Sequence, residues 1–105
     1  MTINEYLEAT RKYNRHADML SIRPAVECND GFRVSVQASE YHYCTPRIDY
    51  GPYAEVELGY PSAEMPTLVE YAENEEKPLE TVYGYVPVEL VDALLESHGG
   101  IKEQE

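Results

Sequence analysis

Residues 25–38 read AVECNDGFRVSVQA, and the pattern is that of a β-hairpin. The residues Asn29, Asp30 and Gly31 form a turn cluster, with glycine where a positive φ is favoured. From residue 32 to residue 38 apolar and polar side chains alternate, as in a strand with one buried and one wet face. We therefore expect two antiparallel strands here, at the start of a sheet.

Two further strands are expected downstream, at residues 53–60 and 81–86. Residues 53–60 alternate between apolar side chains and glutamates, which puts the two sets on opposite faces of the strand. On this pattern the inward residues are Ala54, Val56, Leu58 and Tyr60, and the outward residues are Glu55 and Glu57.

A first helix is expected before the hairpin, at residues 3–20. Apolar side chains recur there at helical spacing, so one face of the helix can be buried. Thr2 and Glu5 match a capping box, in which each side chain accepts from the other residue's backbone N–H. The helix therefore begins directly after Thr2.

Two more helices follow the third strand and the fourth strand. Thr67 and Glu70 match a second capping box, which predicts a short helix anchored by Leu68, Val69 and Tyr71. The last helix begins after Pro87 and ends at the glycine pair 99–100. Its apolar stripe consists of Val88, Val91, Leu94 and Leu95.

The order of elements is α-β-β-β-α-β-α. Because three of the four strands are joined by turns, we expect an α+β fold, with an antiparallel four-stranded sheet and helices packed on one face. The length of 105 residues suits one domain over residues 1–105, with 101–105 as a polar tail.

Charge is the first departure from an average composition. The chain has twenty acidic and eight basic residues, a net charge of −12. Residues 1–50 contribute −1 to this net charge and residues 51–105 contribute −11. The second half has thirteen acidic residues and only two basic ones, Lys77 and Lys102. Direct binding to nucleic acid or to an anionic membrane is disfavoured, because phosphates would be repelled. A basic protein surface is favoured as the partner, and the alternative is that the acidity serves solubility alone.

Tyrosine is the second departure, with ten tyrosines, one phenylalanine and no tryptophan. Tyrosine is enriched at protein interfaces, because its large ring carries a polar tip. Some of these rings are expected to line strands instead, where aromatic side chains pack well.

Motifs that carry chemistry are absent from the sequence. The six glycines do not have P-loop or dinucleotide-binding spacing, and there is no G-x-S-x-G elbow. His42 and Cys44, two residues apart, suggest a metal ligand pair, whose further ligands would have to come from Cys28 or acidic residues. They also suggest a thiol with its base, but the sequence shows no third group to orient that base. We therefore expect no enzyme activity, no cofactor and no metal, and a small enzyme or metal protein using these two residues stays as a hypothesis.

Cellular location is predicted from segments that would direct the chain to a membrane or out of the cell. There is no apolar signal-peptide core at the N-terminus and no apolar run long enough to span a bilayer. We expect a cytoplasmic protein in which Cys28 and Cys44 are reduced thiols, although a disulfide between them stays open.

An acidic surface is expected in the second half of the chain. If the strand at 53–60 and the segment after it lie on one side, their carboxylates form a field that attracts a groove lined by lysine and arginine. Such grooves hold nucleic-acid phosphates, so the protein would compete as a mimic. The residues are Glu55, Glu57, Glu64, Glu70, Glu73, Glu75, Glu76 and Glu80.

Three stretches, Met1–Ser21, Val34–Pro46 and Thr81–Ile101, carry a resemblance to a known class. Together with the small, acidic α+β pattern, they make the chain similar to the anti-CRISPR proteins of phages and mobile elements that inhibit type II-A Cas9. Several of these inhibitors place acidic side chains where DNA phosphates would lie, in the basic channel of Cas9. The alternative route for such an inhibitor is to block the nuclease step while DNA stays bound, and the sequence does not distinguish the two routes.

The resemblance implies that the partner is Cas9 or its guide-RNA complex, in the cytoplasm of the host bacterial cell. The partner-binding residues would be Glu55, Glu57, Glu70, Glu73, Glu75, Glu76 and Glu80, with Tyr53 and Tyr71 as flanking anchors. A hypothesis from another class is a structural or assembly component of a phage or mobile element, in which the strand at 81–86 pairs between copies through an exposed edge.

Overall fold

A computed structural model describes residues 1–13 and 22–103. Two α-helices, two 3-10 helices and four strands are present in that part of the chain. In chain order they are α1 Ile3–Ala9, a 3-10 helix Arg11–Tyr13, β1 Val26–Glu27, β2 Arg33–Gln37, β3 Glu55–Gly59, a 3-10 helix Pro66–Tyr71, β4 Val82–Pro87 and α2 Val88–Ser97.

The four strands form one antiparallel sheet in the order β1-β2-β3-β4. The hairpin of β1 and β2 turns at Gly31, whose φ of 96° lies in the region that favours glycine. The α+β fold, the antiparallel four-stranded sheet and the order α-β-β-β-α-β-α are confirmed.

One face of the sheet forms the core together with α1 and α2. The two helices are joined where the Ile3 backbone N–H donates to Asp92 Oδ1 at 2.8 Å. The side chains of alternate strand residues are fully buried against them, as expected for a sheet with one covered face. This core includes Ile3, Leu7, Val26, Val34, Val36, Val56, Leu58, Val86, Val91 and Leu95.

The first helix begins as predicted, because the capping box of Thr2 and Glu5 is formed. The α-helix ends at Ala9, and residues 14–21 of the predicted helix lie outside the described residues. At its end the buried Arg23 guanidinium donates to the Leu7 carbonyl at 2.9 Å. A side chain distant in sequence thus satisfies a carbonyl at the helix end, a contact that periodicity alone does not reveal.

The limits of β3 correct the prediction for residues 53–60. The strand spans Glu55–Gly59, and both Ala54 and Tyr60 are exposed rather than inward. Tyr60 has a φ of 50°, so the backbone turns away from extended geometry immediately after Gly59.

The second capping box is not formed. Residues Pro66–Tyr71 make a 3-10 helix whose N-cap, Met65, forms no side-chain cap. Because Pro66 takes the first helical position, Thr67 lies inside the helix and not before it. Of the three predicted anchors, Leu68 is buried and Val69 is exposed.

The C-terminal segment is not entirely a polar tail. Gly99 and Gly100 both have positive φ and end α2 as predicted. The chain then returns to the sheet, where Ile101 is buried and bridges Cys28, and the Lys102 N–H donates to the Glu27 carbonyl. The prediction of 101–105 as a polar tail is therefore wrong at Ile101, because this apolar side chain is buried against the end of the core.

Candidate functional site

The face of the sheet opposite the helices carries Glu55 and Glu57, each half-buried. A segment of the loop between β2 and β3 lies over them. Glu55 Oε1 accepts from the Thr45 hydroxyl at 2.8 Å, and Glu57 Oε1 accepts from the Tyr43 backbone N–H at 3.1 Å. Both predicted site residues therefore point to this outward face, and both also hold the loop in place.

The carboxyl group of Glu57 has a perturbed pKa. Burial raises its pKa above the ordinary value of 4.5, and the nearby Glu73 carboxylate raises it further. The hydrogen bond from Tyr43 and the charge of Arg47 act in the opposite direction. Two predicted acidic residues, one on β3 and one beyond the 3-10 helix, are thus close enough to interact.

A β-bulge in β4 lies directly across from Glu57. Leu58 pairs with Tyr83 and Val56 pairs with Val86, so Gly84 and Tyr85 both oppose the single residue between. Tyr85 has a φ of 55° and an exposed ring. The bulge turns this ring toward the outward face.

Tyr43 completes an aromatic pair on that face. Its side chain lies on Gly84, where an added Cβ would come within 3.3 Å of the Tyr43 Cβ. The rings of Tyr43 and Tyr85 have centroids 5.8 Å apart and are tilted by 36°. The Arg47 guanidinium carbon lies 5.7 Å from the centroid of the Tyr43 ring. We call Tyr43, Tyr85 and Glu57 the tyrosine–glutamate cluster.

The segment 73–80, here called the acidic loop, is anchored by its own turns. The Glu73 N–H donates to the Val82 carbonyl at 3.0 Å, and the Asn74 N–H donates to the Thr81 hydroxyl at 3.1 Å. Within the loop, the Lys77 N–H donates to the Asn74 carbonyl at 3.2 Å. These bonds fix the backbone to β4 while the acidic side chains, Glu73, Glu75, Glu76 and Glu80, remain exposed.

The carboxylates of this region form no ion pair in the described part of the chain, although Lys77 lies in the same loop. Other acids have a partner side chain: Asp30 Oδ2 lies 2.7 Å from His98 Nδ1, and Glu27 Oε2 lies 3.8 Å from Lys102 Nζ. By contrast, no ion pair among residues 1–13 and 22–103 involves Glu70, Glu73, Glu75, Glu76 or Glu80. Their negative charge is available to a partner.

The two predicted tyrosine anchors are not both on the surface. Tyr53 is only 4% exposed, and its hydroxyl donates to the Ile48 carbonyl at 2.9 Å. Its backbone N–H donates to the Asn4 side chain, which packs it against α1. The prediction of Tyr53 as a surface anchor is wrong, because it packs into the core beneath the loop. Tyr71 is half-buried against the core.

Three residues of the outward face were missed from the sequence: Tyr43, Arg47 and Tyr85. The excess of tyrosine was the available signal. Gly84, beside Tyr85 in a strand, is also typical of a bulge or a close approach.

His42 and Cys44 each form a hydrogen bond with Ser39. His42 Nδ1 lies 2.6 Å from the Ser39 hydroxyl, and the Cys44 thiol donates to the Ser39 carbonyl at 3.2 Å. Burial lowers the pKa of His42 and raises the pKa of the Cys44 thiol. A thiol with a raised pKa is a weaker nucleophile at neutral pH, because less of it is thiolate.

Cys28 and Cys44 are both buried free thiols. Across residues 1–13 and 22–103, no group of three or more histidine, cysteine, aspartate or glutamate side chains is arranged to hold a metal ion. Over the same residues, no helix has the length and apolar character needed to cross a membrane.

In comparisons with known proteins, no family model, no curated protein and no solved structure matches this chain.

Proposed function

We propose that this protein inhibits a nucleic-acid enzyme by binding the basic groove that holds the nucleic acid, and that the enzyme is Cas9 with its guide RNA. On this proposal it acts as a binding protein and not as an enzyme, within the bacterial cytoplasm. The observation that carries the proposal is the acidic loop, whose carboxylates are exposed and form no ion pair with the described residues.

Electrostatics gives the physical reason. A loop fixed to β4 presents several carboxylates without the entropy cost of ordering a flexible segment on binding. A positively charged channel attracts such a surface, accelerates encounter and discriminates against partners of the wrong charge. The same channel in Cas9 recognises the phosphate backbone of the guide–target duplex.

The assembly hypothesis has less support, because the outer edge of β4 is partly occupied. Ala72 bridges Tyr83, and the Glu73 N–H donates to the Val82 carbonyl. The bulge at Tyr85 and the missing N–H of Pro87 further reduce the pairing that this edge offers to a second copy.

An order-of-addition assay tests the proposal. The protein is mixed with the Cas9–guide complex before or after target DNA, and DNA retention and cleavage are both measured. We expect full inhibition when the protein is added first and little when DNA is already bound. Equal inhibition in both orders would show a block of the nuclease step instead of competition for the groove, and no binding would refute Cas9 as the target.

A further inference from the structure

Tyr85 has a left-handed backbone conformation, which residues other than glycine rarely adopt. Its φ is 55°, and the residue is 43% exposed. Burial in the core therefore does not explain why a large aromatic side chain stands at a bulge position that favours glycine. Outliers of this kind cluster at functional sites, where the strained backbone aims a side chain at a ligand.

One of the two rings beside Glu57, that of Tyr43, already contacts a guanidinium group. Arg47 lies 5.7 Å from the centroid of the Tyr43 ring, within the distance of a cation–π contact, and its side chain is exposed. A guanidinium of this chain, whose Nε also donates to the Glu40 carbonyl at 3.1 Å, thus lies within cation–π distance of one ring. A guanidinium from another protein can form the same cation–π contact with these rings.

Glu57 supplies the charge that such a group would need. Its Oε1 accepts the Tyr43 N–H, and no described residue bonds to Oε2. Because a carboxylate offers about four acceptor positions, it can take further N–H donors. The acidic loop begins beside it, since Glu73 is close enough to raise the pKa of Glu57.

We infer that the tyrosine–glutamate cluster recognises an arginine side chain of the partner protein, an inference that rests on the proposed function. The guanidinium stacks on the rings of Tyr43 and Tyr85 and donates to Glu57, while the acidic loop attracts the surrounding basic surface. Arginine is preferred over lysine because its planar group both stacks on an aromatic ring and donates in a fork to one carboxylate.

Peptide binding tests this preference without Cas9. Two short peptides of equal length and charge, one built on arginine and one on lysine, are titrated into the full chain at one ionic strength. We expect the arginine peptide to bind about three-fold more tightly or better. In spectra of the unmodified protein, its addition shifts the ring resonances of Tyr43 and Tyr85 more than that of Tyr60.

Matched variants locate the site. Tyr43→Leu combined with Tyr85→Leu is expected to bind the two peptides equally, with an unchanged circular dichroism spectrum. Tyr60→Leu is the control, because Tyr60 is also an exposed tyrosine with positive φ but lies outside the cluster. It is expected to keep the preference for arginine.

Equal affinity of the two peptides for the unmodified protein would overturn the inference, as would a preference that survives loss of both rings. If the double variant fails to fold, the ring resonances of the unmodified protein test the inference instead. Larger shifts at Tyr60 than at Tyr43 and Tyr85 would overturn the inference. Failure of the proposed function is separate. If the protein prefers the arginine peptide but does not bind the Cas9–guide complex, the arginine site is supported and the Cas9 proposal is refuted. If it binds the Cas9–guide complex but shows no preference for arginine, the Cas9 proposal is supported and the arginine site is refuted.

Discussion

The backbone N–H of Tyr43 donates to Glu57 Oε1 at 3.1 Å, and this bond joins the loop after β2 to the outward face of β3. It places an aromatic ring beside a half-buried carboxylate, on the face that the helices leave open. The β4 bulge adds Tyr85 from the other side. The outward face is therefore built from three segments of the chain, and each can be tested by substitution.

Replacement of Glu57 by glutamine is expected to stabilise the protein at neutral pH. Burial and the Glu73 charge raise the pKa of Glu57 in the folded state above 4.5, so the folded protein binds this proton more tightly than the unfolded chain. The stability that this group contributes is therefore present below its ordinary pKa and is lost as pH rises through the raised value. We expect Glu57→Gln to increase the Tm by about 3 °C at neutral pH.

Thermal unfolding followed from neutral pH down to about pH 4 checks this expectation. The gain in Tm should shrink as the carboxyl group of the unmodified protein becomes protonated. Glu96→Gln, on the exposed side of α2, is the control for loss of one negative charge. A variant that is less stable than the unmodified protein at neutral pH would contradict the account of Glu57.

Neutralisation of the acidic loop is expected to weaken binding to the Cas9–guide complex. The variant carries Glu75→Gln, Glu76→Gln and Glu80→Gln, which removes three charges without altering the backbone bonds of the loop. We expect a loss of affinity of about ten-fold or more at low salt and a weaker dependence on salt.

The control has the same change in net charge at other positions. It carries Glu89→Gln, Glu96→Gln and Glu103→Gln, all exposed. If affinity, measured by titration, falls equally in both triple variants, net charge alone drives binding and the acidic loop has no special role.

Removal of Arg47 is expected to strengthen the interaction with a basic partner. Arg47→Gln uncovers the Tyr43 ring and removes a positive charge near Glu57. Affinity for the arginine peptide should rise about two- to five-fold. Arg33→Gln, an exposed arginine on β2, removes the same charge without uncovering a ring and should have a smaller effect. Weaker binding of Arg47→Gln would show that this arginine itself contacts the partner.

The buried Arg23 is expected to be essential for stability. Its guanidinium donates to the Leu7 carbonyl at 2.9 Å and to the Ala38 carbonyl at 2.7 Å, so it joins α1 to the end of β2. We expect Arg23→Ala to reduce the free energy of unfolding by about 3 kcal/mol, because buried carbonyls lose their donor. Urea denaturation measures this loss, and a loss below about 1 kcal/mol would contradict the structural role.

Local signals made much of the fold predictable. The turn at Gly31 and the glycine pair after α2 specify backbone geometry within a few residues, so the hairpin and the end of the last helix were found. The exposure of the acidic loop followed in the same way from its composition. Each of these features depends on residues that are neighbours in sequence.

The aromatic part of the candidate site was not predictable, because it depends on contacts between distant segments. Tyr53 is buried beside α1, where its backbone N–H forms a hydrogen bond with Oδ1 of Asn4, 49 residues away in sequence. The exposure of Tyr85 depends on a bulge that forms only when β4 pairs with β3. Neither periodicity nor composition encodes these pairings.

The measurement that tests the proposed function most directly is the affinity for purified Cas9–guide complex, with target cleavage, at low and at high salt. We expect tight binding and inhibition at low salt, both lost steeply as salt screens the acidic loop. Binding that does not change with salt, or no binding to Cas9 proteins from several hosts, would contradict the claim that this chain competes electrostatically for a nucleic-acid groove.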